Sequence, residues 1–198
     1  MARNLKPKWK QNRREGYTLF GSEKWQKRQG LPGIHPNSRR KPTDFAVQFR
    51  EKQKVKKIYG LLEKQFSRFF NIAAKSKSNT GVRFLQMLEL RLDNVIYRLG
   101  VAPSRASARQ LVNHGFVLVN DKKIDVSSHI VKVGDIITLK PRIKKHKGVL
   151  EFAKLNKNFK LVKWLKKSPL GGEILAMPMR DMIDKGINER LIVEYYSK

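Results

Sequence analysis

Between Ser104 and Gly115 the chain reads SRASARQLVNHG, and five of its side chains are of the kinds that hold phosphate: Arg105, Arg109, Gln110, Asn113 and His114. At about 100° per residue, Ala108, Leu111 and Val112 fall in one arc of a helix and those five polar groups spread across the other. The Ser104 hydroxyl suits the helix N-cap, and Gly115 suits a C-terminal stop. The run contains no carboxylate, so the polar arc is expected to carry an unneutralised positive charge. Such an arc fits phosphate oxygens, with Ser104 at its edge.

The elements that must position this helix follow it directly. Phe116 to Val119, then Asn120 and Asp121, then Lys122, Lys123 and Ile124 predict a β-hairpin, because Asn and Asp tolerate the left-handed backbone of a tight turn. Ile130 and Val131, a turn at Val133 to Asp135, and Ile136 to Leu139 predict a second extended pair. Upstream, apolar residues recur three or four apart from Phe45 to Phe70, with Asp44 as a candidate cap and Lys52, Lys54, Lys56 and Lys57 off the stripe. A second stripe runs from Phe84 to Leu99 after a polar break at 75–80. Pro169, Gly171, Gly172 and Pro178 read as loops, and Asn188 as the cap of a last helix containing Leu191, Ile192 and Tyr195.

The net charge is +28, from 44 Lys and Arg against 16 Asp and Glu. That excess opposes compaction unless a polyanion offsets it, and nucleic acid is the expected counter-charge. It is concentrated at residues 1–42 and 140–167, each +10. The first stretch, with Lys8, Lys10, Arg13, Arg14, Arg39 and Arg40 among its cations and Trp9, Tyr17, Phe20 and Trp25 between them, predicts an extended, irregular arm that orders on RNA or on the protein body. Arg50, Lys54, Lys56, Lys57, Lys144, Lys145 and Lys147 complete the cations expected to contact a nucleic-acid backbone. With no cysteine there are no disulfides or thiolate metal sites. The four histidines are scattered, so no metal triad, nucleophile–base pair or phosphate loop is recognisable, and no enzymatic activity is expected. The absence of a long apolar run or of an apolar stretch behind the basic start predicts a soluble chain that is not exported.

LDNVIYRLG, SRASARQLVNHG, VLVNDKKID and VKVGD together resemble the RNA-binding module named after ribosomal protein S-four. REKQKVKKIYGLLEKQFSRFF before it and NERLIVEYYSK at the end are similar to the segments that bracket the module in the bacterial and organellar S-four family. The resemblance implies an α+β fold: a mostly helical first domain, an inserted S-four-type module of helices and short antiparallel strands, and an extended basic N-terminal arm. The expected boundaries are 1–43 for the arm, 44–90 and 156–198 for the two parts of the helical domain, and 91–155 for the module. Many members of the family hold zinc in the arm with four cysteines; Trp9 and Asn12 stand at two of those positions here and supply no thiolate. No metal or other cofactor is therefore expected, and His35 reads as an RNA contact or turn residue.

The resemblance further implies a structural protein of the small ribosomal subunit. It would bind the 5′ domain of the ribosomal RNA, nucleate assembly and contribute to accuracy near the place where mRNA enters. Implied partners are that RNA, neighbouring proteins S-three and S-five and, in some members, the protein's own mRNA; neither a membrane nor a second copy of the chain is implied. Its implied place is the cytoplasmic ribosome, or an organelle matrix. Two alternatives carry the same module: a stress or ribosome-rescue RNA binder, which the flanking helices and basic arm disfavour, and a pseudouridine synthase, for which the sequence after the module is expected to be too short. Because Arg105 and Arg109 lie off the apolar arc, changing both to Glu is expected to abolish specific RNA binding and leave the fold intact.

Overall fold

The computed structural model describes residues 6–20, 23–28, 30–33, 41–145, 161–168 and 171–197. The chain forms two units: residues 1–81 with 185–198, and residues 82–184. The segment 185–198 thus groups with the N-terminal one. The second unit extends to residue 184, past the expected module boundary at 155.

In the first unit, helix α1 (Lys8–Glu15) ends at Gly16, whose φ of 60° supplies the left-handed C-terminal cap. A helix here departs from the expected irregular arm. Its cause is a contact that composition does not reveal: the fully buried Glu15 side chain pairs with Lys57 and, at 3.5 Å, with Arg50. Helix α2 (Asp44–Ile58) is capped by Thr43, whose side-chain oxygen accepts from the Ala46 N–H; Asp44 is instead the first helical residue, where a carboxylate favours the helix dipole. The apolar stripe does not run unbroken to Phe70. Gly60, at φ 62°, turns the chain, and α3 (Glu63–Ala74) starts anew, burying Phe66, Phe70 and Ala73.

Helix α7 (Glu189–Tyr196), capped by the Asn188 side chain accepting from Arg190 N–H, packs on α2. Gln48 Nε2 donates to Glu194 at 3.1 Å, and Lys54 Nζ donates to the Gly186 carbonyl at 2.7 Å. Lys52, predicted off the apolar stripe, is only 4% exposed. Its ammonium donates to Glu63 at 2.8 Å and to the Tyr195 hydroxyl at 3.3 Å, and lies 4.3 Å from the centre of the Tyr195 ring. Burial by itself raises the Glu63 carboxyl, but hydrogen bonds from Lys52 and Lys56, the Lys56 charge and a bond from Tyr196 outweigh it and hold the pKa at about 2. Burial and the facing carboxylate raise the Tyr196 phenol above its ordinary value.

The second unit begins with α4, which runs Thr80–Glu89 and so starts two residues earlier in the chain. The predicted stripe from 84 to 99 breaks at Leu90 and Arg91, where Arg91 forms an isolated bridge with Ile130. Helix α5 (Leu92–Arg98) follows, and α6 (Arg105–Asn113) is capped by Ser104, whose hydroxyl accepts from Ser107 N–H. Five antiparallel strands form one sheet in the order β2-β1-β3-β5-β4: β1 (Val117–Val119), β2 (Lys122–Lys123), β3 (Ile136–Leu139), β4 (Leu165–Ser168) and β5 (Gly171–Ile174). Leu92, Val95 and Ile96 of α5, Leu99 at its C-cap, and Ala108, Leu111 and Val112 of α6 share one core with Val117, Ile137, Trp164 and Ile174. The predicted hairpin is present, with Asn120 and Asp121 at φ 49° and 63°, both left-handed as a type I′ turn requires.

Two readings differ from the structure in this unit. Ile130 and Val131 do not pair with 136–139; the 127–131 stretch docks on the start of α5, where Leu92 N–H donates to the His129 carbonyl at 2.8 Å and Val131 N–H to that of Leu90 at 3.0 Å. Gly171 and Gly172 begin a strand and not a loop. They are needed because β5 approaches its neighbours too closely for a side chain: a Cβ on Gly171 would lie 1.9 Å from the Ile137 carbonyl oxygen, and one on Gly172 would lie 2.5 Å from Leu99 Cδ2.

Gly171→Ala is accordingly expected to cost several kcal/mol, as the strand must move off Ile137, and to lower the midpoint of thermal unfolding. For Glu63 the folded pKa lies below the unfolded value near 4.5, so its contribution is present above that value and lost as pH falls from about 4.5 towards 2. Because the carboxylate is partly exposed, screening reduces that contribution to about 1 kcal/mol. In urea unfolding followed with pH, Glu63→Gln is expected to be less stable than wild type at neutral pH and to converge with it near pH 2.

Candidate nucleic-acid interface

Helix α6 ends as its sequence predicts. His114 N–H donates to Gln110, Gly115 N–H to Val112 at 2.8 Å and Phe116 N–H to Leu111, with Gly115 at φ 69°. This reversal leads directly into β1. A Cβ on Gly115 would lie 2.5 Å from Lys123 Cε, so the Lys123 side chain lies across the end of α6. The hairpin cations are thereby next to the helix terminus. Gln110, Asn113, His114, Lys122 and Lys123 are all exposed here, and the His114 and Phe116 rings are 6.4 Å apart. Asn120 holds the hairpin turn to β3: its amide nitrogen donates to Asp135 and its carbonyl oxygen accepts from Ile136 N–H, each at 2.9 Å.

The two arginines are held differently from the sequence expectation. Carboxylates do face the polar arc, but they come from the preceding helix. Arg109 donates through Nε, at 2.8 Å, and through Nη2 to the same oxygen of Asp93, which is 2% exposed and also accepts from Arg91 at 3.2 Å. Arg105 Nε donates to Asn94 Oδ1 at 2.7 Å, and its guanidinium lies 4.6 Å from the centre of the Tyr97 ring. Asn94 in turn donates to the backbone and side chain of Glu89, each at 2.8 Å. Glu89, only 1% exposed, takes a two-point bond from Arg98 at 2.7 and 3.1 Å. The sequence reading missed these supports. Their signal was present in LDN: an acid and an amide within an otherwise apolar stripe, which in a buried position require partners.

The remaining candidate cations divide by what they touch. Lys8 and Lys10 are exposed on α1, Arg13 is half-buried there, and Arg14 donates to the Pro32 carbonyl at 3.2 Å. Arg50 and Lys57 pair with Glu15, Lys54 with Glu51 at 2.7 Å and Lys56 with Glu63 at 2.7 Å. The α2 cluster read as a backbone-contacting run is therefore largely neutralised within the protein. Arg39, Arg40 and Lys147, like His35, lie outside the described residues, as do the side chains of Lys144 and Lys145. Among the described residues no group of three or more His, Cys, Asp or Glu is placed to hold a metal ion, and no helix is long and apolar enough to cross a membrane.

An arginine- and amide-bearing helix beside a basic hairpin turn, with exposed polar side chains and a fixed guanidinium geometry, defines a class of RNA-binding modules. Comparison with known proteins gives the same class. Residues 3–89 match the family described as ribosomal protein S4/S9 N-terminal domain, and residues 90–137 match the S4 domain. The chain is 45% identical over 208 residues to small ribosomal subunit protein uS4 of Halothermothrix orenii, with all of both chains covered. It is 45% identical over 201 residues to uS4 of Amoebophilus asiaticus, again over both full lengths. To uS4A of Alkaliphilus metalliredigens it is 48% identical over 176 residues, 87% of this chain and 84% of that one. The chain belongs to the uS4 family of small ribosomal subunit proteins.

The geometry corrects the expectation that Arg105→Glu with Arg109→Glu spares the fold. A glutamate at 109 would face the buried Asp93, and removing one partner of a buried pair costs about 3–5 kcal/mol. Arg109→Glu is expected to lower thermal stability by that order before any RNA is added. Asn113→Ala with His114→Ala, at exposed positions, is expected to change stability by under about 0.5 kcal/mol and to weaken RNA binding at least tenfold in a filter-binding assay.

Proposed function

We propose that this chain is a structural protein of the small ribosomal subunit that binds ribosomal RNA and does no catalysis. The observation that carries the reading is the α6 surface, where Gln110, Asn113 and His114 lie beside Lys122 and Lys123 while buried Asp93 and Asn94 hold Arg109 and Arg105. Exposed cations displace counterions along the phosphate backbone. Fixed guanidinium and amide groups then read the shape of folded RNA, whose base edges are poorly accessible in A-form grooves.

The RNA is the 5′ domain of the small-subunit ribosomal RNA, and binding there nucleates assembly by holding several RNA helices together. Neighbouring partners are proteins S-three and S-five, near the point where mRNA enters the ribosome, where the protein contributes to accuracy. It works in the ribosome, in the cytoplasm or an organelle matrix, and its own mRNA is a second RNA target. The stress or ribosome-rescue reading is disfavoured by end-to-end similarity to ribosomal relatives, covering all of this chain and all of several of them.

Binding to a transcript of the 5′ domain, compared with an unrelated RNA of equal length across a salt series, tests the reading. A preference of about a thousandfold that persists at physiological salt is expected, since charge alone decays steeply with salt. Equal, salt-labile binding to both RNAs overturns it in favour of a generic RNA binder.

A further inference from the structure

Helix α3 has a second face that the candidate site does not use. Phe66, Phe70 and Ala73 are buried, and on the other side Lys64, Ser67, Arg68, Asn71, Ile72 and Lys75 line a shallow cleft of about 350 Å³. Their spacing of three to four residues places them on one side of the helix, with Lys64 and Arg68 about 6 Å apart along its axis by the 1.5 Å rise per residue. Lys64, Arg68, Asn71 and Lys75 are exposed. The only carboxylate on the helix, Glu63, is engaged by Lys52, Lys56 and Tyr196. No acidic group lines the cleft, and among the described residues Lys64, Arg68 and Lys75 have no hydrogen bond or ion pair.

The contrast with α2 is informative. Arg50, Lys52, Lys54, Lys56 and Lys57 are each matched to Glu15, Glu51 or Glu63. Those carboxylates, Glu63 of α3 among them, are taken up by the cations of α2 and leave Lys64, Arg68 and Lys75 without an acidic partner among the described residues. An unpaired cation costs folding free energy through repulsion within so basic a chain, and three on one face, with a hydroxyl and an amide between them, form a set rich in donors and without a carboxylate. Phosphate and ribose oxygens are acceptors of the required kind, and Ser and Asn beside Lys and Arg are common donors to a nucleic-acid backbone.

We propose that this face of α3 is a second RNA-backbone site, separate from the α6 surface and taking the role that the sequence gives to Lys54, Lys56 and Lys57. The inference rests on the reading of the chain as a ribosomal RNA binder. The site is expected to contact backbone more than sequence, because its three cations lie exposed along one helix face with no hydrogen bond or ion pair among the described residues to fix them for base readout.

The test uses the full chain and the 5′-domain transcript. Lys64→Gln with Arg68→Gln and Lys75→Gln removes three cations that hold nothing inside the protein, so thermal unfolding is expected to stay at the wild-type midpoint. Each lost phosphate contact lowers the slope of log affinity against log salt by about 0.7–0.9, so the triple variant is expected to lose roughly 2 to 3 from that slope and at least tenfold in affinity at low salt. A comparison triple at the exposed Lys41, Lys132 and Lys185, each to Gln, is expected to lose less than half as much. Because the chain has no cysteine, Asn71→Cys supplies a single thiol for a photo-crosslinker, which is expected to label RNA in reconstituted subunits. An unchanged salt slope, equal losses in the two triples, or a crosslink to protein in place of RNA overturns the inference. If wild type itself shows no preference for the 5′-domain transcript, the ribosomal reading fails; a selective wild type with an unaffected triple sinks only the α3 site.

Discussion

The Asp93 carboxylate is the point on which the placement of α6 in the second unit depends. It is almost completely buried and accepts from Arg109 twice and from Arg91 once. A carboxylate removed from water is tolerable only with such partners, so the pair fixes how α6 is set against α5. The neighbouring Asn94 extends the same restraint to Arg105 on one side and to Glu89 and Arg98 on the other. A long flexible arginine thereby becomes a rigid one, and the entropy of positioning it is spent in folding and not at the moment of binding.

The same accounting of charge separates the two kinds of cation in the first unit. Glu15, Glu51 and Glu63 are few, but each sits where it offsets the repulsion between α2 and its surroundings. Glu63 does the most, with two lysines and a tyrosine on one carboxylate. Cations without such partners, on α1 and α3, are left for something outside the chain. The distinction between a lysine paired within the fold and one left exposed is thus made in this unit by the position of three glutamates.

Much of the fold was legible. Ser104 and Asn188 cap the helices they were expected to cap, Gly115 stops α6, and Asn120 and Asp121 turn the hairpin, because each of these is a local preference of the residue itself. Where two local rules competed, the reading erred. Thr43 took the cap in place of Asp44, Gly60 cut a continuous apolar stripe, and Gly171 and Gly172 served close strand packing when their composition suggested a loop. An arm rich in charge and proline contains a helix because Glu15 pairs with Lys57 across 42 residues.

The sequence by itself determined helix α6 and the hairpin that follows it, the excess of positive charge and the family, since periodicity, capping and motif spacing are local and need no neighbour. Only the tertiary structure decided which cations are available. Asp93 sits sixteen residues from Arg109 and Glu15 forty-two from Lys57, and an ion pair is set by distance in space, which residue order does not encode. For that reason the arc read as uncompensated is braced from behind, the lysines of α2 are paired within the protein, and a face of α3 that attracted no notice in the sequence carries exposed cations without a carboxylate partner among the described residues.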